Sequence, residues 1–402
     1  MKYVVILGDG MSDYPQKELN NKTPLELAKK PFIDGLSKRA LMGKCATVPS
    51  GMKPGSDVAN LSVLGYNVKE CYTGRSPLEA ASIGIKLKET DVTLRANLVT
   101  VSNEEIYEDK TMIDYSAGEI STKEAGELIA FLKARLDTEE YKLFAGISYR
   151  HCLVIDNGTL INELTPPHDI TGKAVKGHLP TSKTGLKYLE IMKKSYELLK
   201  DHPINLERVK NGKNPANSLW FWGEGTKPNL QNFEERYGLS GGMISAVDLL
   251  KGIAKINGME VIEVEGATGN YDTNFAGKAE ACVNALKGGL DFVYVHMEAP
   301  DECGHHGDAK NKIYSIEKID EVVERVYNGL KETGEDFRIL ICPDHPTPLN
   351  IKTHASDAVP FIIYDSREIY SSSENGYTEK NAENAGLKVD SGEELIKLFL
   401  QK

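Results

Sequence analysis

Residues 291–308 read DFVYVHMEAPDECGHHGD, an apolar run followed at once by acids, histidines and glycines. The run is dense in β-branched and aromatic residues, which is typical of a strand buried on both faces of a parallel sheet. Just after it, Asp301 and His305 are four residues apart and are expected to share one face of a helix. Carboxylate and imidazole groups at a strand end indicate a metal site. His306 is expected to point away from that face, and Cys303 fits a small buried residue better than a ligand.

Three more apolar runs are similarly rich in β-branched and aromatic residues. They are YVVIL at 3–7, RILICPD at 338–344 and VPFIIY at 359–364. Between them lie stretches with helical periodicity, such as SAVDLLKGIAKING and IYSIEKIDEVVERVYNGLKET. Strands that alternate with helices in this way predict an α/β fold with a mostly parallel central sheet.

Metal-ligating side chains also flank these three strands. Asp9 follows the first strand, Asp344 and His345 follow RILIC, and His354 precedes VPFIIY. Ligands of open α/β sheets bind beyond the carboxyl ends of the strands, so most of these donors are expected to lie together. Taken singly, Asp9 in GDG also fits an ordinary turn, and His354 a surface or capping histidine. Together the donors predict two divalent cations in an arrangement that suits phosphoryl transfer.

A serine precedes a predicted helix in MKPGSDVANLSVLGY, residues 52–66. Ser56 would lie at the helix N-terminus, where free backbone N–H groups and the helix dipole stabilise an alkoxide or a phosphate. The alternative is an ordinary serine N-cap. The chain has no GxSxG motif, which disfavours an acyl-transferring serine hydrolase.

The sequence changes character in its middle part. Strand-like pieces such as TLRANLVTV and YRHCLVI occur there, together with the glycine-rich GGM. We interpret residues 81–240 as a domain inserted into a scaffold formed by residues 1–80 and 241–402. Trp220 and Trp222 fit packing better than ligand binding.

Composition excludes several classes of partner. The chain has 402 residues, a formal net charge of -11 and an isoelectric point near 5.5, which disfavours nucleic acid as a partner. Its six cysteines form no CxxC pair, which disfavours a zinc ribbon or a disulfide framework. No apolar run reaches the length of a signal-peptide core or a membrane span. We therefore expect a soluble cytoplasmic protein without a membrane partner.

Six motifs carry a resemblance to a known family: GDG, PGSDVANLSVLGY, TGRSPLEAAS, APDECGHHGD, CPDHPTP and KTHASDAVPF. The chain resembles the cofactor-independent phosphoglycerate mutases, in their shorter archaeal-type branch, within the alkaline phosphatase superfamily. The resemblance runs through nearly the whole chain, since SYRHCLV, PPHDITGK, WFWGEG and GGMISAVDLLKGI also match. It implies an alkaline-phosphatase-like three-layer sandwich with an inserted, smaller α/β lid domain that binds substrate.

The resemblance also implies a role for each donor. One divalent ion would be held by Asp301, His305 and His354. The other would be held by Asp9, Ser56, Asp344 and His345. Ser56 would be the nucleophile and would form a phosphoserine, while 3-phosphoglycerate and 2-phosphoglycerate are interconverted without 2,3-bisphosphoglycerate. The lid would exclude the water that otherwise hydrolyses a phosphoserine.

An anionic substrate requires cationic groups in the protein. The candidates for substrate binding are Arg75, Arg150, His151 and Lys251. The candidates for acid–base work on the hydroxyls of the substrate are His168 and Asp169. Read without the resemblance, Arg150 and His151 also fit a charged pair at a strand end, and Lys251 fits a solvated helix face.

Other activities share this machinery and stay open at the level of sequence. One is phosphoryl transfer to another hydroxyl, such as that of homoserine. A second is a metal-dependent phosphatase or phosphonate hydrolase, and a third is a binding module that metals merely brace. The donors fit manganese, and zinc or magnesium also match. The expected partner is a small phosphorylated substrate, and the sequence does not specify an oligomeric state.

Overall fold

The chain forms two compact units in a computed structural model that describes residues 1–370 and 376–401. The first unit combines Met1–Tyr72 with Asn229–Lys402, and the second unit is Thr73–Pro228.

Both units contain strands. In chain order the strands are β1 Lys2–Gly8, β2 Leu41–Cys45, β3 Val92–Val101, β4 Met112–Asp114, β5 Tyr141–Phe144, β6 Arg150–Ile155, β7 Ser218–Thr226, β8 Gly241–Ile244, β9 Glu260–Val261, β10 Phe292–Met297, β11 Phe337–Cys342, β12 Val359–Asp365 and β13 Lys388–Val389.

Helices follow most of these strands. They are α1 Pro24–Leu27, α2 Pro31–Ser37, α3 Ser56–Val63, α4 Val68–Cys71, α5 Ser76–Ser82, α6 Thr122–Leu136, α7 Lys183–Leu199, α8 Pro203–Lys210, α9 Phe233–Tyr237, α10 Asp248–Ile256, α11 Phe275–Lys287, α12 Ala299–His306, α13 Ala309–Lys331, α14 Glu379–Asn384 and α15 Gly392–Leu400. None of the helices in the described ranges has both the length and the apolar character that crossing a membrane requires.

The sheet of the first unit is mostly parallel. Its strand order is β13-β2-β12-β11-β1-β10-β8-β9. β12 runs antiparallel to both of its neighbours, whereas the other adjacent pairs are parallel. The α/β class with a mostly parallel central sheet, predicted from the sequence, is therefore confirmed. The central strands β1, β10 and β11 are buried along nearly their whole length, as their continuous apolar runs predict.

Helices cover both faces of this sheet. Successive residues of a strand point to opposite faces, so neighbouring strand residues contact different helices. On one face Val4 of β1 belongs to an apolar core that includes residues of α2, α11 and α13. On the other face the rings of Tyr3 and Phe399 of α15 lie 5.6 Å apart. The Tyr294 hydroxyl donates to Asn60 of α3, also on this second face. The first unit is thus a three-layer sandwich.

The second unit is built on an antiparallel sheet. β3 lies between β6 and β7, β5 extends the sheet beyond β6, and β4 pairs with the end of β3. The predicted strand TLRANLVTV corresponds to β3, which is buried at all positions but Arg95. Leu132 of α6 and Met192 of α7 belong to the apolar core on this sheet.

The observed units divide the chain earlier than the predicted boundaries at 80/81 and 240/241. α5 contacts β3 and β7, so the chain has entered the second unit before residue 80. α9 belongs to the first unit, because the ring of Phe233 lies 4.8 Å from that of Phe292 in β10. These contacts join segments that are distant in sequence, which a change in local composition does not report.

Candidate active site

Three side chains from two strand ends form a buried cluster. Asp9 follows β1, and Asp344 and His345 follow β11, the parallel neighbour of β1. Their ligand atoms lie within 4.8 Å of one another, and none of the three residues is more than 1% exposed. We call Asp9, Asp344 and His345 the buried cluster. Parallel strands that end at the same edge bring these residues together.

Only one of the two carboxylate oxygens of Asp9 has a hydrogen-bond partner among the described residues. Its Oδ2 is 2.8 Å from His296 Nε2, whereas Oδ1 has no hydrogen-bond donor among the described residues. Burial, together with the charges of Asp344 and Asp301, raises the pKa of Asp9 well above its ordinary value. A divalent cation would satisfy Oδ1 and offset the repulsion between the carboxylates. The donor set therefore fits a metal ion.

His296, a residue not predicted from the sequence, orients Asp9 from inside β10. The Val247 N–H donates to Ser245 Oγ at 3.0 Å, so the serine hydroxyl is free to donate to His296 Nδ1, 3.2 Å away. In this tautomer Nε2 carries the ring proton, and this N–H donates a hydrogen bond to Asp9 Oδ2. Burial and the nearby Lys278 ammonium lower the pKa of His296 to about 3, which keeps the ring neutral. A lone histidine within the apolar run FVYVHM was the available signal.

Asp344 is fixed by donors from three segments. Its Oδ1 accepts from the backbone N–H groups of Gly10 and His345, at 3.1 and 2.8 Å. Its Oδ2 accepts from Asn60 Nδ2 at 2.8 Å, and the same amide nitrogen also donates to the Ser56 carbonyl at 2.8 Å. Asn60 thus ties the first turn of α3 to the buried cluster. A single asparagine in a helix has no spacing pattern that predicts this role.

Ser56 is the first residue of α3, and Gly55 occupies the N-cap position. The alternative that Ser56 is an ordinary N-cap is therefore wrong. Its Oγ lies 3.4 Å from His345 Nε2, so the hydroxyl contacts the buried cluster. Backbone N–H groups of the first helical turn favour negative charge at this position.

A second, half-buried cluster consists of Asp301, His305 and His354, whose ligand atoms also lie within 4.8 Å of one another. The first two residues are on α12, as the spacing of four predicts. Both imidazoles direct Nε2 inward, since Nδ1 of His305 is 3.0 Å from the Lys352 carbonyl and Nδ1 of His354 is 3.4 Å from the Pro54 carbonyl. The two Nε2 atoms are 2.9 Å apart.

Charges within the half-buried cluster compensate one another. Burial would raise the pKa of Asp301, yet hydrogen bonds with His305 and His354 hold it well below its ordinary value. The bond to Asp301 raises the pKa of His305 to about 9. One carboxylate with two imidazoles that face one point is a donor set that manganese or zinc accepts.

The two clusters are neighbours within the first unit. The ring centroids of His345 and His354 lie 4.1 Å apart. All the side chains predicted to hold metal ions, together with Ser56, are therefore brought to one place. Metal binding by them stays a prediction.

The second unit carries a separate cationic cluster. The Arg95 guanidinium lies 3.9 Å from the centroid of the Trp222 ring, and the His168 ring lies 5.1 Å from the same ring. Burial lowers the pKa of Arg95, and the nearby charges of Arg75 and Arg150 add to this effect. Arg75, Arg150 and His168 were predicted from the sequence, whereas Arg95 was not, because it lies inside strand β3. Trp222, which the sequence favours as a packing residue over a binding one, stacks on this guanidinium.

Acids balance part of this positive charge. Glu79 pairs with Arg95 at 2.8 Å and with Arg75 at 2.9 Å. His168 Nε2 is 3.6 Å from an oxygen of Asp169, and both side chains are about half exposed. Trp220, in contrast, is buried, and its indole N–H donates to the Thr165 carbonyl.

Two predicted substrate-binding residues, His151 and Lys251, do not belong to the cationic cluster. His151 is 5% exposed, and its Nδ1 accepts from the Gly146 N–H at 3.0 Å. Burial lowers the pKa of His151 to about 3, so this ring is a neutral interior group rather than part of the cationic cluster. Lys251 lies on α10 of the first unit and pairs with Glu263 at 2.7 Å.

Comparisons with known proteins agree on one family. A family model for 2,3-bisphosphoglycerate-independent phosphoglycerate mutases matches residues 37–205. A probable 2,3-bisphosphoglycerate-independent phosphoglycerate mutase of Geobacter sulfurreducens is 46% identical and aligns over 100% of both chains. The 2,3-bisphosphoglycerate-independent phosphoglycerate mutase of Methanosarcina barkeri is 47% identical, also over 100% of both chains.

Solved structures give the same result for the fold. A protein of Pyrococcus horikoshii superposes with a TM-score of 0.83 at 31% identity, over 100% of this chain and 96% of that chain. The cofactor-independent phosphoglycerate mutase of Thermoplasma acidophilum gives a TM-score of 0.67 at 26% identity, over 100% and 99% of the two chains.

Proposed function

The chain belongs to the family of 2,3-bisphosphoglycerate-independent phosphoglycerate mutases and is an isomerase; we propose that it interconverts 3- and 2-phosphoglycerate through a phosphoserine at Ser56. This reaction is a step of glycolysis and gluconeogenesis. The observation that carries the proposal is the position of Ser56 at the start of α3, with Oγ 3.4 Å from His345 in the buried cluster.

Two divalent cations complete the proposed site. One would be held by Asp9, Ser56, Asp344 and His345. The other would be held by Asp301, His305 and His354. Manganese suits these mixed carboxylate and imidazole donors, and zinc and magnesium are the competing choices. When bound, the ions supply positive charge that lowers the pKa of the Ser56 hydroxyl and neutralises the phosphoryl group.

Ser56 would act twice in each turnover. Its oxygen attacks phosphorus, the bond from phosphorus to the substrate oxygen breaks, and the departing oxygen takes a proton to become a glycerate hydroxyl. Glycerate then turns, its other hydroxyl loses a proton and attacks the phosphoserine, and the Ser56 oxygen is released. No water is consumed, so the sum of the two transfers is an isomerisation.

His168 and Asp169 are the proposed groups for these proton transfers. Burial lowers the pKa of His168, and the Arg95 charge adds to this effect, while Asp169 opposes it. An imidazole that is mostly neutral at neutral pH can accept a proton from a hydroxyl and return it. The exposure of both side chains leaves them accessible to a substrate.

The cationic cluster of the second unit is the proposed binding site for the anionic groups of the substrate. Arg75, Arg95 and Arg150 offer more positive charge than Glu79 offsets. Guanidinium groups bind carboxylate and phosphate through paired hydrogen bonds. Stacking on Trp222 restricts Arg95, so less side-chain freedom is lost on binding. Lys251 remains a further candidate, and the second unit is proposed as the lid that excludes water.

A cytoplasmic location is also part of the proposal. The six cysteines are all free and buried. Free thiols are typical of proteins from a reducing compartment.

Phosphorus NMR of the purified protein tests this function. With MnCl₂ and 3-phosphoglycerate, we expect the 2-phosphoglycerate signal to grow to equilibrium without 2,3-bisphosphoglycerate, and EDTA to stop it. Inorganic phosphate as the only product would instead show a phosphatase. A requirement for homoserine or another acceptor, with no 2-phosphoglycerate formed, would show a phosphotransferase and contradict the proposal.

A further inference from the structure

We propose that Thr347 is a positioning residue that joins the two metal clusters through its hydroxyl and leaves Nε2 of His345 free to bind a divalent cation. The inference rests on the proposed function, because it assumes that both clusters bind ions. Thr347 follows the DHP segment after β11 and is fully buried.

The hydrogen bonds around Thr347 have a single consistent direction. Its Oγ1 donates to a carboxylate oxygen of Asp301 in the half-buried cluster, since a carboxylate only accepts. The same Oγ1 is 3.3 Å from His345 Nδ1 in the buried cluster. With its proton committed to Asp301, the hydroxyl accepts from His345, so Nδ1 carries the ring proton.

This tautomer directs the other nitrogen of His345 to the site. His345 Nε2 is 3.4 Å from Ser56 Oγ, 3.4 Å from Asp344 and 3.7 Å from Asp9. A ring with its proton on Nδ1 presents an Nε2 lone pair to these groups, which is the form that a metal ion requires. Metal-ligating histidines are generally fixed in this way by an acceptor for the opposite N–H.

Two glycines of the sequence motifs give the Thr347 side chain its space. A Cβ on Gly10, in GDG, would lie 2.6 Å from Thr347 Oγ1, and Gly10 also has a φ of +59°. A Cβ on Gly304, in DECGHH, would lie 2.8 Å from Thr347 Cγ2. The segments after β1 and β10 therefore pack directly against Thr347, and three motifs that are far apart in sequence meet at one side chain.

The backbone of Thr347 is held independently of its hydroxyl. Its carbonyl accepts from Lys312 Nζ at 2.7 Å, and its N–H donates to the Ser12 carbonyl at 3.2 Å. The same ammonium pairs with Asp13 at 2.7 Å, and both of these side chains are fully buried. A substitution that removes only the hydroxyl is thus expected to leave the loop in place.

Three variants separate the hydroxyl from the packing. Thr347→Val keeps the volume and removes the donor, whereas Thr347→Ser keeps the donor. Thr93→Val is the matched control, because Thr93 is also fully buried but donates to the Gly225 carbonyl in the second unit. Binding of MnCl₂ to each metal-free protein is measured by titration calorimetry.

We expect Thr347→Val to weaken both Mn²⁺ binding steps by about 10- to 100-fold. Thr347→Ser and Thr93→Val are expected to bind like wild type. Nitrogen NMR of ¹⁵N-histidine-labelled wild-type protein, with His345 assigned through a His345→Gln variant, should show a protonated Nδ1 and an unprotonated Nε2.

Unchanged Mn²⁺ binding by Thr347→Val would overturn the inference, even if that variant is less stable. A protonated Nε2 on His345 would also overturn it, and this measurement decides the question if Thr347→Val does not fold. Wild-type protein that binds no Mn²⁺ would overturn both the inference and the proposed function. Equal binding by wild type and Thr347→Val would leave the proposed function intact.

Discussion

The buried cluster has two carboxylates and one imidazole, whereas the half-buried cluster has one carboxylate and two imidazoles. In the first, burial and like charges raise the pKa of Asp9. In the second, hydrogen bonds with two histidines lower the pKa of Asp301 although burial opposes this. The carboxylates thus respond in opposite directions only a few ångströms apart. Because burial raises the pKa of both carboxyls, the opposite directions come from their neighbours, which are acids around Asp9 and histidines around Asp301.

Each cluster therefore depends on a cation in its own way. Without an ion, burial and the repulsion from Asp344 and Asp301 disfavour the charged form of Asp9, whose Oδ1 has no hydrogen-bond donor in the part of the chain that the structure describes. The half-buried cluster can hold a proton on His305, whose pKa is raised to about 9, and so neutralise Asp301 internally. Ions are expected to add charge balance at the first cluster and to replace protons at the second.

The largest effect is expected at the buried cluster, where Ser56→Ala removes the proposed nucleophile. We expect kcat to fall by about 10³-fold or more, because the proposed phosphoserine can no longer form between the two transfers. Mutase assays give the rate, and calorimetry gives Mn²⁺ binding at the half-buried cluster, which should persist.

Ser62→Ala is the matched control for this variant. Ser62 is also a buried serine of α3, but its hydroxyl accepts from Gly392 N–H, away from both clusters. It should retain mutase activity. Substantial turnover by Ser56→Ala would exclude the phosphoserine. The buried cluster would then not be the one that holds the nucleophile.

A second prediction concerns the stability of the metal-free protein at pH 8. Asp9→Asn is expected to raise the free energy of unfolding by about 1–3 kcal/mol, because it removes a repelled charge and keeps an acceptor for His296. Asp301→Asn is expected to lower it by about 1–3 kcal/mol, because it breaks the pairing with His305 and His354. Urea unfolding in EDTA measures both changes.

Opposite signs from two Asp→Asn changes would be difficult to obtain from packing alone, since the volume change is the same. Destabilisation by both variants would contradict the proposed charge imbalance of the buried cluster. Stabilisation by both variants would mean that the pairing of Asp301 with His305 and His354 does not contribute to the free energy of unfolding.

A third prediction concerns pH. His305 has its pKa raised from 6.5 to about 9 in the metal-free fold, so the proton that it holds stabilises this fold fully below pH 6.5. That stabilisation is lost as the pH rises through 9. Mn²⁺ must displace the proton, so its affinity for the half-buried cluster should rise by up to about tenfold per pH unit between these values.

The pH dependence of Mn²⁺ binding at the buried cluster is expected to differ from that at the half-buried cluster. Burial lowers the pKa of His345, so this ring is already neutral in that range. Asp9, whose pKa is raised well above its ordinary value, is then the group of this cluster from which an ion would displace a proton. In the Asp9→Asn variant, which removes that carboxyl, calorimetry from pH 6.5 to 9 should therefore resolve one steep dependence, at the half-buried cluster, and one shallower dependence, at the buried cluster. Equal slopes for the two binding steps would remove the distinction between the clusters.

Much of this site was accessible from the sequence, because both clusters use residues that follow strand patterns. Asp9 and Asp344 come just after β1 and β11, and Asp301 lies in the helix that follows β10. Parallel strands put such positions at one edge of a sheet. His305 was accessible for a different reason, since a spacing of four places it with Asp301 on one helical face.

The residues that support the ligands were not accessible in this way. His296 lies within strand β10, Asn60 within helix α3 and Arg95 within strand β3. Their roles come from contacts across the fold, such as Asn60 Nδ2 to Asp344 at 2.8 Å, which no local pattern encodes. The domain boundaries near residues 73 and 228 depend on contacts of the same kind.

The smallest effect is expected at His306, next to His305 in sequence. His306 is exposed on α12, whereas His305 directs Nε2 toward Asp301 at 3.3 Å. His306→Ala should leave Mn²⁺ affinity and kcat close to wild type, because a rotation of about 100° per residue turns its side chain away from the cluster. His305→Ala, made beside it, removes a proposed ligand rather than an outer partner of one, so it should weaken the binding of one ion by about 100-fold or more. A comparable loss in both variants would mean that helix α12 itself, rather than the direction of one imidazole, determines metal binding at the half-buried cluster.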